Sequence, residues 1–413
     1  MSSSLVVPAY NEEDVIDDTL DHLTHLESYF DEIYLIDDAS TDSTQERIAE
    51  YVRENDTGVK VSYMRENGNK VGAIEEAVRH ADSDNVVLTD ADTRLETPEA
   101  VEDAEEYMDQ NGYGALAFKV IPDDSPEGFI DSIWNKLQDF DYAMGRALAD
   151  YTTGERLRLD PDDKNVRCIA GAGGMYDTEV LEEALQHHSG KHAGDDMETT
   201  AITQLLLDND VDYFSDVEFE TEVPKEYSEL KDQRVRWNRG AIQAFSNHPK
   251  DYLKEAATMS RYGQTVAYEA GITAAAPVLL GKTALEISQG DLAQATESFA
   301  FWYGVDATFT TALGAYSLKK GELKDTSNFG ISPLMPLYRA GTFFPAKIGS
   351  QRQTLEEKLT EAGQEFRQGL EEGNEDIEAI RNLGNMFEAS KQKAENMFSL
   401  SSVASVKEIL EHD

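Results

Sequence analysis

The chain has 413 residues, more than one ordinary hydrophobic core accommodates, which indicates two or three structural units. Its 81 Asp and Glu against 36 Lys and Arg give a formal net charge of −45. A charge of this size repels nucleic acids and anionic lipid surfaces, so binding to nucleic acid is excluded. The same charge destabilises a compact fold unless salt screens it, which predicts a halophilic source rather than an ordinary acidic protein. The single cysteine, Cys168, excludes internal disulfide bonds and fits a reducing interior.

The first part of the chain alternates strand-like apolar runs with segments whose apolar residues recur at helical spacing. Because the chain begins directly with such a run, we expect no cleavable signal peptide. Regular alternation of strands and helices indicates right-handed βαβ units on a largely parallel sheet. The predicted strands are SLVVPAY, EIYLIDD, VKVSYMREN and NVVLTDADT, and the helices between them are EEDVIDDTLDHLTHLESYF, STQERIAEYVREN and NKVGAIEEAVRHAD.

Two of these strands end in paired carboxylates, Asp37 and Asp38 in IDDAS and Asp90 and Asp92 in TDADT. Ligands of such sheets bind beyond the carboxyl ends of the strands. An Asp-x-Asp arrangement holds a hard divalent cation through oxygen ligands, and bound Mg²⁺ or Mn²⁺ bridges phosphate oxygens. For either motif alone, simple capping of a strand-to-helix loop stays an open alternative. Both motifs on neighbouring strands of one sheet favour a ligand site.

The next segments continue the alternation of helices and strands up to about residue 190. EAVEDAEEYM predicts a helix and GALAFKVI a strand. The segment GFIDSIWNKLQDFDYAMGRAL predicts a long amphipathic helix, and VRCIAGAGGMYDTEVLEEAL predicts a strand, a glycine-rich turn and a helix.

The composition changes after about residue 255, where three apolar stretches appear: TVAYEAGITAAAPVLLG, FAFWYGVDATFTTALGAYSL and ISPLMPLYRAGTFFPAKIG. Their lengths approach the roughly 20 apolar residues of a membrane span, but they contain Glu269, Asp306 and Arg339, which are costly in a bilayer. Membrane-embedded or interfacial helices are favoured over soluble core helices. We therefore predict a catalytic region over residues 1–250, a helical region over 251–350 and a charged amphipathic helical tail over 351–413.

Two further segments contain candidate catalytic or ligand-binding residues. In HAGDDMETT, Asp195, Asp196 and Glu198 lie at a predicted helix start, where they either stabilise the helix dipole or supply a general base. The segment KDQRVRWNRG gathers Arg234, Arg236 and Arg239 around Trp237. Guanidinium groups bind phosphate oxygens in a bidentate way, and the flat indole suits the wall of a binding cleft. The alternative is an amphipathic helix that neutralises nearby acids.

The segment HHSGKH places His187, His188 and His192 close together before Asp196. A transition-metal site is one interpretation. A polar loop on the acceptor side is favoured, since no Cys or spaced fourth ligand lies nearby. Cys168 is expected to be a small buried hydrophobic side chain rather than a nucleophile.

The motifs VVPAYNEE, IDDASTDST, NKVGAIEEAV, TDADT, AGAGGMYDTEVL, GDDMETT and QRVRW occur in this order. Over about residues 3–245 they resemble the membrane-associated, processive family 2 glycosyltransferases, which include cellulose, chitin, hyaluronan and poly-N-acetylglucosamine synthases. The resemblance implies an α/β GT-A nucleotide-diphospho-sugar transferase fold, in which helices flank a Rossmann-like mixed sheet and an α-helical, membrane-associated region follows. It also implies inverting, metal-dependent sugar transfer to a hydroxyl of a glycan or glycolipid.

The resemblance also implies roles for residues that match the family's motifs. Asp196 would be the general base, with Asp195 replacing the usual Glu before it. Asp90 and Asp92 would bind Mg²⁺ or Mn²⁺. The nucleotide pocket would contain Pro8, Tyr10, Glu12, Asp37, Asp38, Lys70 and Asp90, and the diphosphate and acceptor side would contain Gln233, Arg234, Arg236 and Trp237.

Several departures leave other interpretations open. No hydrophobic helix precedes the first strand, and the later apolar stretches are weaker than channel-forming helices. A single-transfer enzyme like the polyprenyl-phosphate sugar synthases is one alternative, although such enzymes generally lack the Gln-x-x-Arg-Trp motif. A catalytically inactive nucleotide-sugar-binding scaffold is another. The resemblance places the catalytic region in the cytoplasm at the cell membrane, in polysaccharide synthesis.

Overall fold

A computed structural model of the protein describes residues 2–123, 129–153, 165–190, 194–258 and 289–323, together with positions 260, 262–266, 282, 286, 329–330, 332, 334–335 and 338. Within these residues, one eight-stranded sheet carries helices on both faces. The strands are β1 (Ser3–Ala9), β2 (Glu32–Asp37), β3 (Lys60–Tyr63), β4 (Asn85–Leu88), β5 (Thr93–Leu95), β6 (Ala115–Pro122), β7 (Gly174–Asp177) and β8 (Val211–Thr221). The helices are α1 (Ile16–Leu26), α2 (Thr44–Glu54), α3 (Asn69–Val78), α4 (Val101–Asn111), α5 (Phe129–Thr153), α6 (Thr178–His187), α7 (Asp195–Ala201), α8 (Tyr227–Asn247), α9 (Pro249–Thr258) and α10 (Leu292–Lys320).

The sheet is mixed, with the strand order β3-β2-β1-β4-β7-β6-β8-β5. Strands β1 to β4 are parallel, but β7 runs antiparallel to both β4 and β6. The predicted strand VRCIA is wrong, because β7 follows the glycine-rich turn instead of preceding it. Strands β5 and β8 were not predicted, and they pair with each other in the antiparallel sense.

Alternation along β1 explains why the sheet is covered on both faces. Leu5 and Val7 point into one core, with α1 and α4, while Val6 points into the other, with α3 and α6. Successive side chains of a strand face opposite sides, so an apolar run without polar alternation requires cover on both sides. Each fully buried Leu, Ile or Val side chain contributes about 1.5–3 kcal/mol.

Helix α10 packs on α5 through both close contacts and charge. The Arg146 guanidinium donates to the Glu322 carboxylate at 3.3 Å and to the Glu322 backbone oxygen at 2.6 Å, and both side chains are buried. Gly314 leaves no room for a side chain, because a Cβ there would lie 2.5 Å from the Phe140 ring. The chain after the predicted boundary near residue 250 therefore contacts the sheet-bearing part directly.

The predicted membrane stretches lie only partly within the described residues. FAFWYGVDATFTTALGAYSL falls inside α10, while most of the other two stretches and the tail over 351–413 lie outside them. Over the part of the chain that the structure describes, none of the helices combines the length and the hydropathy needed to cross a membrane.

Candidate active site

The carboxyl ends of β1 and β2 bring the first predicted site residues to one edge of the sheet. Pro8 pairs with Ile36 in the parallel ladder, and Tyr10 lies just beyond β1 with 45% of its surface exposed. Glu12 follows, half-buried, and its backbone N–H donates to the Thr44 hydroxyl at 2.8 Å. This bond fixes the loop after β1 against the start of α2.

Asp37 and Asp38 end β2 and are both buried. One oxygen of Asp37 accepts hydrogen bonds from the Ser40 backbone and the Gln45 side chain. Its other oxygen, Oδ1, is buried and has no hydrogen-bond partner among the described residues. Asp38 accepts a bond of 2.6 Å from the Gly68 backbone N–H, while burial raises the pKa of its carboxyl. Asp38 thereby joins the end of β2 to the start of α3.

Four carboxylates converge beyond β4 and β8: Glu12, Asp90, Asp92 and Glu222. Burial raises the pKa of Glu12 to about 7, and the charges of Asp92 and Asp90 add to this effect. Removal from bulk water also raises the pKa of Asp92, followed by the charges of Asp90 and Glu222. Neighbouring negative charge therefore contributes to the raised pKa values of Glu12 and Asp92, but no three acidic side chains in the described part of the chain are arranged as a preformed metal site.

Lys70 supplies one positive charge between this cluster and α7. It lies in the first turn of α3, and its Nζ contacts Asp90 Oδ1 and donates to the Gly171 backbone oxygen at 3.2 Å. Burial alone would lower the pKa of Lys70, but the charges of Asp90 and Asp195 outweigh burial and raise it. A Cβ on Gly171 would lie 2.6 Å from the Lys70 nitrogen. A side chain at position 171 would therefore displace the lysine nitrogen from this position.

Asp195 and Asp196 begin α7 on the other side of Lys70. Burial raises the pKa of the Asp196 carboxyl, the charge of Asp195 adds to the effect, and the charge of Lys70 opposes it. Asp196 Oδ1 accepts a hydrogen bond of 2.7 Å from the Met197 N–H. A pocket lined by Lys70, Gly171, Asp195 and Asp196 connects these groups.

The start of α7 rests directly on α8. A Cβ on Gly194 would lie 2.1 Å from the Cα of Gly240, so the two backbones meet without an intervening side chain. This contact fixes the start of α7, and with it Asp196, relative to α8. Helix α8 carries the predicted diphosphate and acceptor residues. Only glycine permits such a close approach of two backbones.

On α8, the predicted residues divide into an exposed and a buried group. Arg236 and Trp237 are exposed, whereas Arg234 is buried and its guanidinium lies 2.8 Å from the Asp141 carboxylate. Gln233 is partly buried, and its side-chain oxygen has no hydrogen-bond partner among the described residues. The four residues thus share one helix but do not all face one cleft.

The histidine cluster belongs to the packing of α7. His188 is buried with its Nε2 3.6 Å from Glu198, and His192 lies outside the described residues. Burial would raise the pKa of Glu198, but hydrogen bonds from His248 and Ser189 lower it to about 2. In the described ranges, no three or more His, Cys, Asp or Glu side chains form a preformed metal site. The structure gives no support to the transition-metal interpretation.

Comparisons with known proteins identify the fold and a family match for part of the chain. Residues 4–185 match the sequence profile of Glycosyl transferase family 2. Residues 4–185 therefore carry the family 2 glycosyltransferase domain. A poly-β-1,6-N-acetyl-D-glucosamine synthase from Staphylococcus aureus (strain MSSA476) is 31% identical over 140 residues, which are 34% of this chain and 32% of that protein. The synthase of the same name from Staphylococcus epidermidis is 26% identical over 241 residues, which are 57% of this chain and 54% of that protein.

The chain thus spans about a third to a half of the length of these relatives. Among solved structures, the mannosyltransferase PcManGT from Pyrobaculum calidifontis, in complex with GDP-Man and Mn²⁺, has a TM-score of 0.51 at 18% identity. The match covers 86% of each chain. The eight-stranded sheet is accordingly that of the GT-A fold, as the resemblance implied.

Sequence reasoning missed several residues that shape this candidate site. Glu222 was missed because it follows β8, which was not identified as a strand, although the alternation in DVEFETEV offered a signal. Asp141 and Tyr142 lie in the middle of α5, where nothing local marks them. Cys168 was expected to be inert, and burial raises the pKa of its thiol well above the ordinary value.

Proposed function

We propose that this glycosyltransferase moves a sugar from a nucleotide-diphosphate donor to a hydroxyl of a glycan or glycolipid, with inversion at the anomeric carbon. Asp196 is the general base of this proposal. The observation that carries it is the network in which Lys70 joins Asp90, at the end of β4, to the carboxylates at the start of α7. These residues are far apart in sequence, and the proposal places them around one donor-binding cleft.

Asp196 has the properties that a base in this reaction needs. Burial and Asp195 raise the pKa of its carboxyl, and a more basic carboxylate accepts a proton more readily during attack. The acceptor oxygen attacks the anomeric carbon while its proton passes to Asp196. The bond between that carbon and the diphosphate oxygen breaks with its electron pair leaving on the diphosphate. No covalent sugar–enzyme intermediate is needed.

The donor set of the acidic cluster fits Mg²⁺ or Mn²⁺, as oxygen ligands suit hard cations. We propose that Asp92, with Asp90, holds the ion, and that phosphate oxygens of the donor complete its coordination. The raised pKa values of the Glu12 and Asp92 carboxyls support a cation here. When bound, the ion neutralises charge that develops on the leaving diphosphate.

The remaining predicted residues divide between donor and acceptor. Asp37 and Asp38, with Tyr10 beyond β1, are proposed to contact the nucleoside, where the unpaired Asp37 oxygen is an acceptor for a base N–H. Arg236 is proposed to contact the diphosphate, because its exposed guanidinium is free to approach an anionic ligand. Trp237 offers an exposed indole face to the acceptor.

Membrane association and adaptation to high salt are further parts of the proposal. The apolar stretches after residue 255 support the first, and the net charge of −45 supports the second. Retention in the lipid fraction after an alkaline wash supports an integral association, whereas complete release contradicts it. Structure that is retained equally well in very dilute buffer contradicts salt adaptation.

A donor panel tests the proposed reaction. Purified protein in high salt is incubated with UDP- and GDP-sugars, Mn²⁺ or Mg²⁺, and N-acetylglucosamine oligosaccharides. We expect transfer from one donor with an inverted anomeric configuration by NMR, its loss with a chelator and its return with the metal. Retention of configuration, or full transfer in chelator, contradicts the proposed mechanism.

A further inference from the structure

We propose that Arg234 is a positioning residue, which holds the indole of Trp237 and does not bind the donor diphosphate. The inference rests on the proposed function, because it assigns Trp237 to the acceptor side. The inference assigns different roles to two arginines that lie two positions apart on α8. Side chains at this spacing point about 200° apart around a helix, so Arg234 and Arg236 face different surroundings.

The contacts of Arg234 engage its guanidinium inside the protein. The side chain is 6% exposed, and one terminal nitrogen lies 2.8 Å from Asp141 of α5. The same nitrogen lies 3.3 Å from the Tyr338 hydroxyl. The other terminal nitrogen is buried and has no hydrogen-bond partner among the described residues. A buried guanidinium that is already neutralised by a carboxylate is poorly placed to attract an anionic ligand.

Arg234 instead supports the indole. Its guanidinium carbon lies 4.1 Å from the centroid of the Trp237 ring, within the range of a cation–π contact. The spacing of three residues places the two side chains on one face of α8. Trp237 nevertheless stays 40% exposed. The guanidinium therefore covers one side of the indole and leaves another side open.

Tyr142 fixes the indole from a second direction. Its ring meets the Trp237 ring edge-on, with centroids 6.0 Å apart and an interplanar angle of 64°. Asp141 and Tyr142 are adjacent on α5, so one turn of that helix holds both the arginine and the tryptophan.

The experiment compares Arg234→Lys with Arg236→Lys. Lysine keeps the charge opposite Asp141 but loses the planar contact with the indole. With UDP-N-acetylglucosamine, Mn²⁺ and a β-1,6-linked N-acetylglucosamine oligosaccharide as probes, we expect Arg234→Lys to raise the acceptor KM about 5- to 30-fold. The donor KM should stay within about twofold, whereas Arg236→Lys should raise it. Arg53→Lys, on the exposed face of α2, is the surface control.

A spectroscopic measurement tests the contact without turnover. The chain has three tryptophans, and subtraction of the Trp237→Phe spectrum isolates the Trp237 emission. Arg234→Lys and the milder Asp141→Asn should both increase acrylamide quenching of that emission, while Arg236→Lys should not. Unchanged quenching in both variants overturns the inference, as does a donor KM that rises as in Arg236→Lys. If the parent protein transfers no sugar, the proposed function fails, and the quenching result still decides the contact.

Discussion

Asp196 and Glu198 lie two residues apart at the start of α7, yet their carboxylates have opposite properties. Burial raises the pKa of Asp196, with the negative charge of Asp195 adding to the effect. Hydrogen bonds from His248 and Ser189 instead lower the pKa of Glu198 to about 2, in spite of its burial. One carboxylate faces the pocket that contains Lys70, and the other faces the packing between α7 and α8.

The difference shows that the hydrogen-bonding and charged neighbours of a carboxylate set its pKa here, rather than its residue type or its position in the helix. Glu198 accepts bonds of 2.6 Å from the Ser189 hydroxyl and 3.0 Å from the Asn247 amide, which leave it little freedom. Asp196 accepts one bond from its neighbouring backbone and keeps capacity to accept a proton. Glu198 therefore anchors the helix that carries the proposed base.

The largest expected effect is a loss of activity when the charge of Lys70 is removed from the pocket that contains Asp196. In Lys70→Met, Asp90, Asp195 and Asp196 lose the ammonium group that offsets their charges. We expect kcat/KM to fall about 10²- to 10³-fold, since removal of a preorganised charge costs about that much. The acid limb of the pH–rate profile should move to higher pH, because the loss of Lys70 raises the pKa of Asp196 further.

The matched control for this variant is Lys60→Met, which breaks the exposed Lys60–Glu32 pair on β3. Exposed pairs contribute at most about 1 kcal/mol, so activity should change little. Equal losses of activity in the two lysine variants would contradict the role assigned to Lys70.

A smaller effect, on the stability of the fold, is expected when Glu198 loses its charge. Glu198→Gln removes the buried charge that His248, Ser189 and Asn247 surround, and we expect a loss of about 2–3 kcal/mol of unfolding free energy. Thermal unfolding in high salt measures it. The exposed Glu182→Gln on α6 serves as the control and should change stability by less than about 0.5 kcal/mol. A Glu198→Gln protein as stable as the parent would show that the cluster does not anchor α7.

The most gradual effect, spread over more than two pH units, concerns acid stability. Because the folded pKa of Glu198 is depressed from 4.5 to about 2, its contribution is fully present above pH 4.5 and is lost as the pH falls toward 2. Between these values we expect the parent to lose about 1.4 kcal/mol per pH unit from this group. Denaturant unfolding of the parent and of Glu198→Gln should therefore converge in acid. A stability difference that is constant from pH 6 to pH 3 would refute the depressed pKa.

The fold was predictable where the local pattern was strong. Strands β1, β2 and β4 and helices α1 to α5 follow from apolar runs and helical spacing. Strand β5 has three residues, too few to show a period. Strand β7 was misplaced because the glycines that precede it disguise the turn, and only pairing with β4 and β6 defines that strand.

The sequence motifs identified which residue types belong to the site, but not how tertiary packing surrounds each of them. The motifs indicated Asp90, Lys70 and Asp196, and the structure brings these three into one network. Their roles stay predictions. The motif did not distinguish Arg234 from Arg236, since burial by α5 depends on tertiary packing. The motif indicated Asp196 as the base, but it did not predict the partners of Glu198, because His248 and Asn247 approach from the far end of α8.

Single-turnover sugar transfer by Asp196→Asn, paired with calorimetric binding of the nucleoside diphosphate and Mn²⁺, tests the assignment of the base most directly. We expect transfer to fall about 10²- to 10⁴-fold, the usual contribution of a general base. Nucleotide binding and the unfolding temperature should match those of the parent. Transfer at the parental rate by the folded, nucleotide-binding variant would contradict Asp196 as the base.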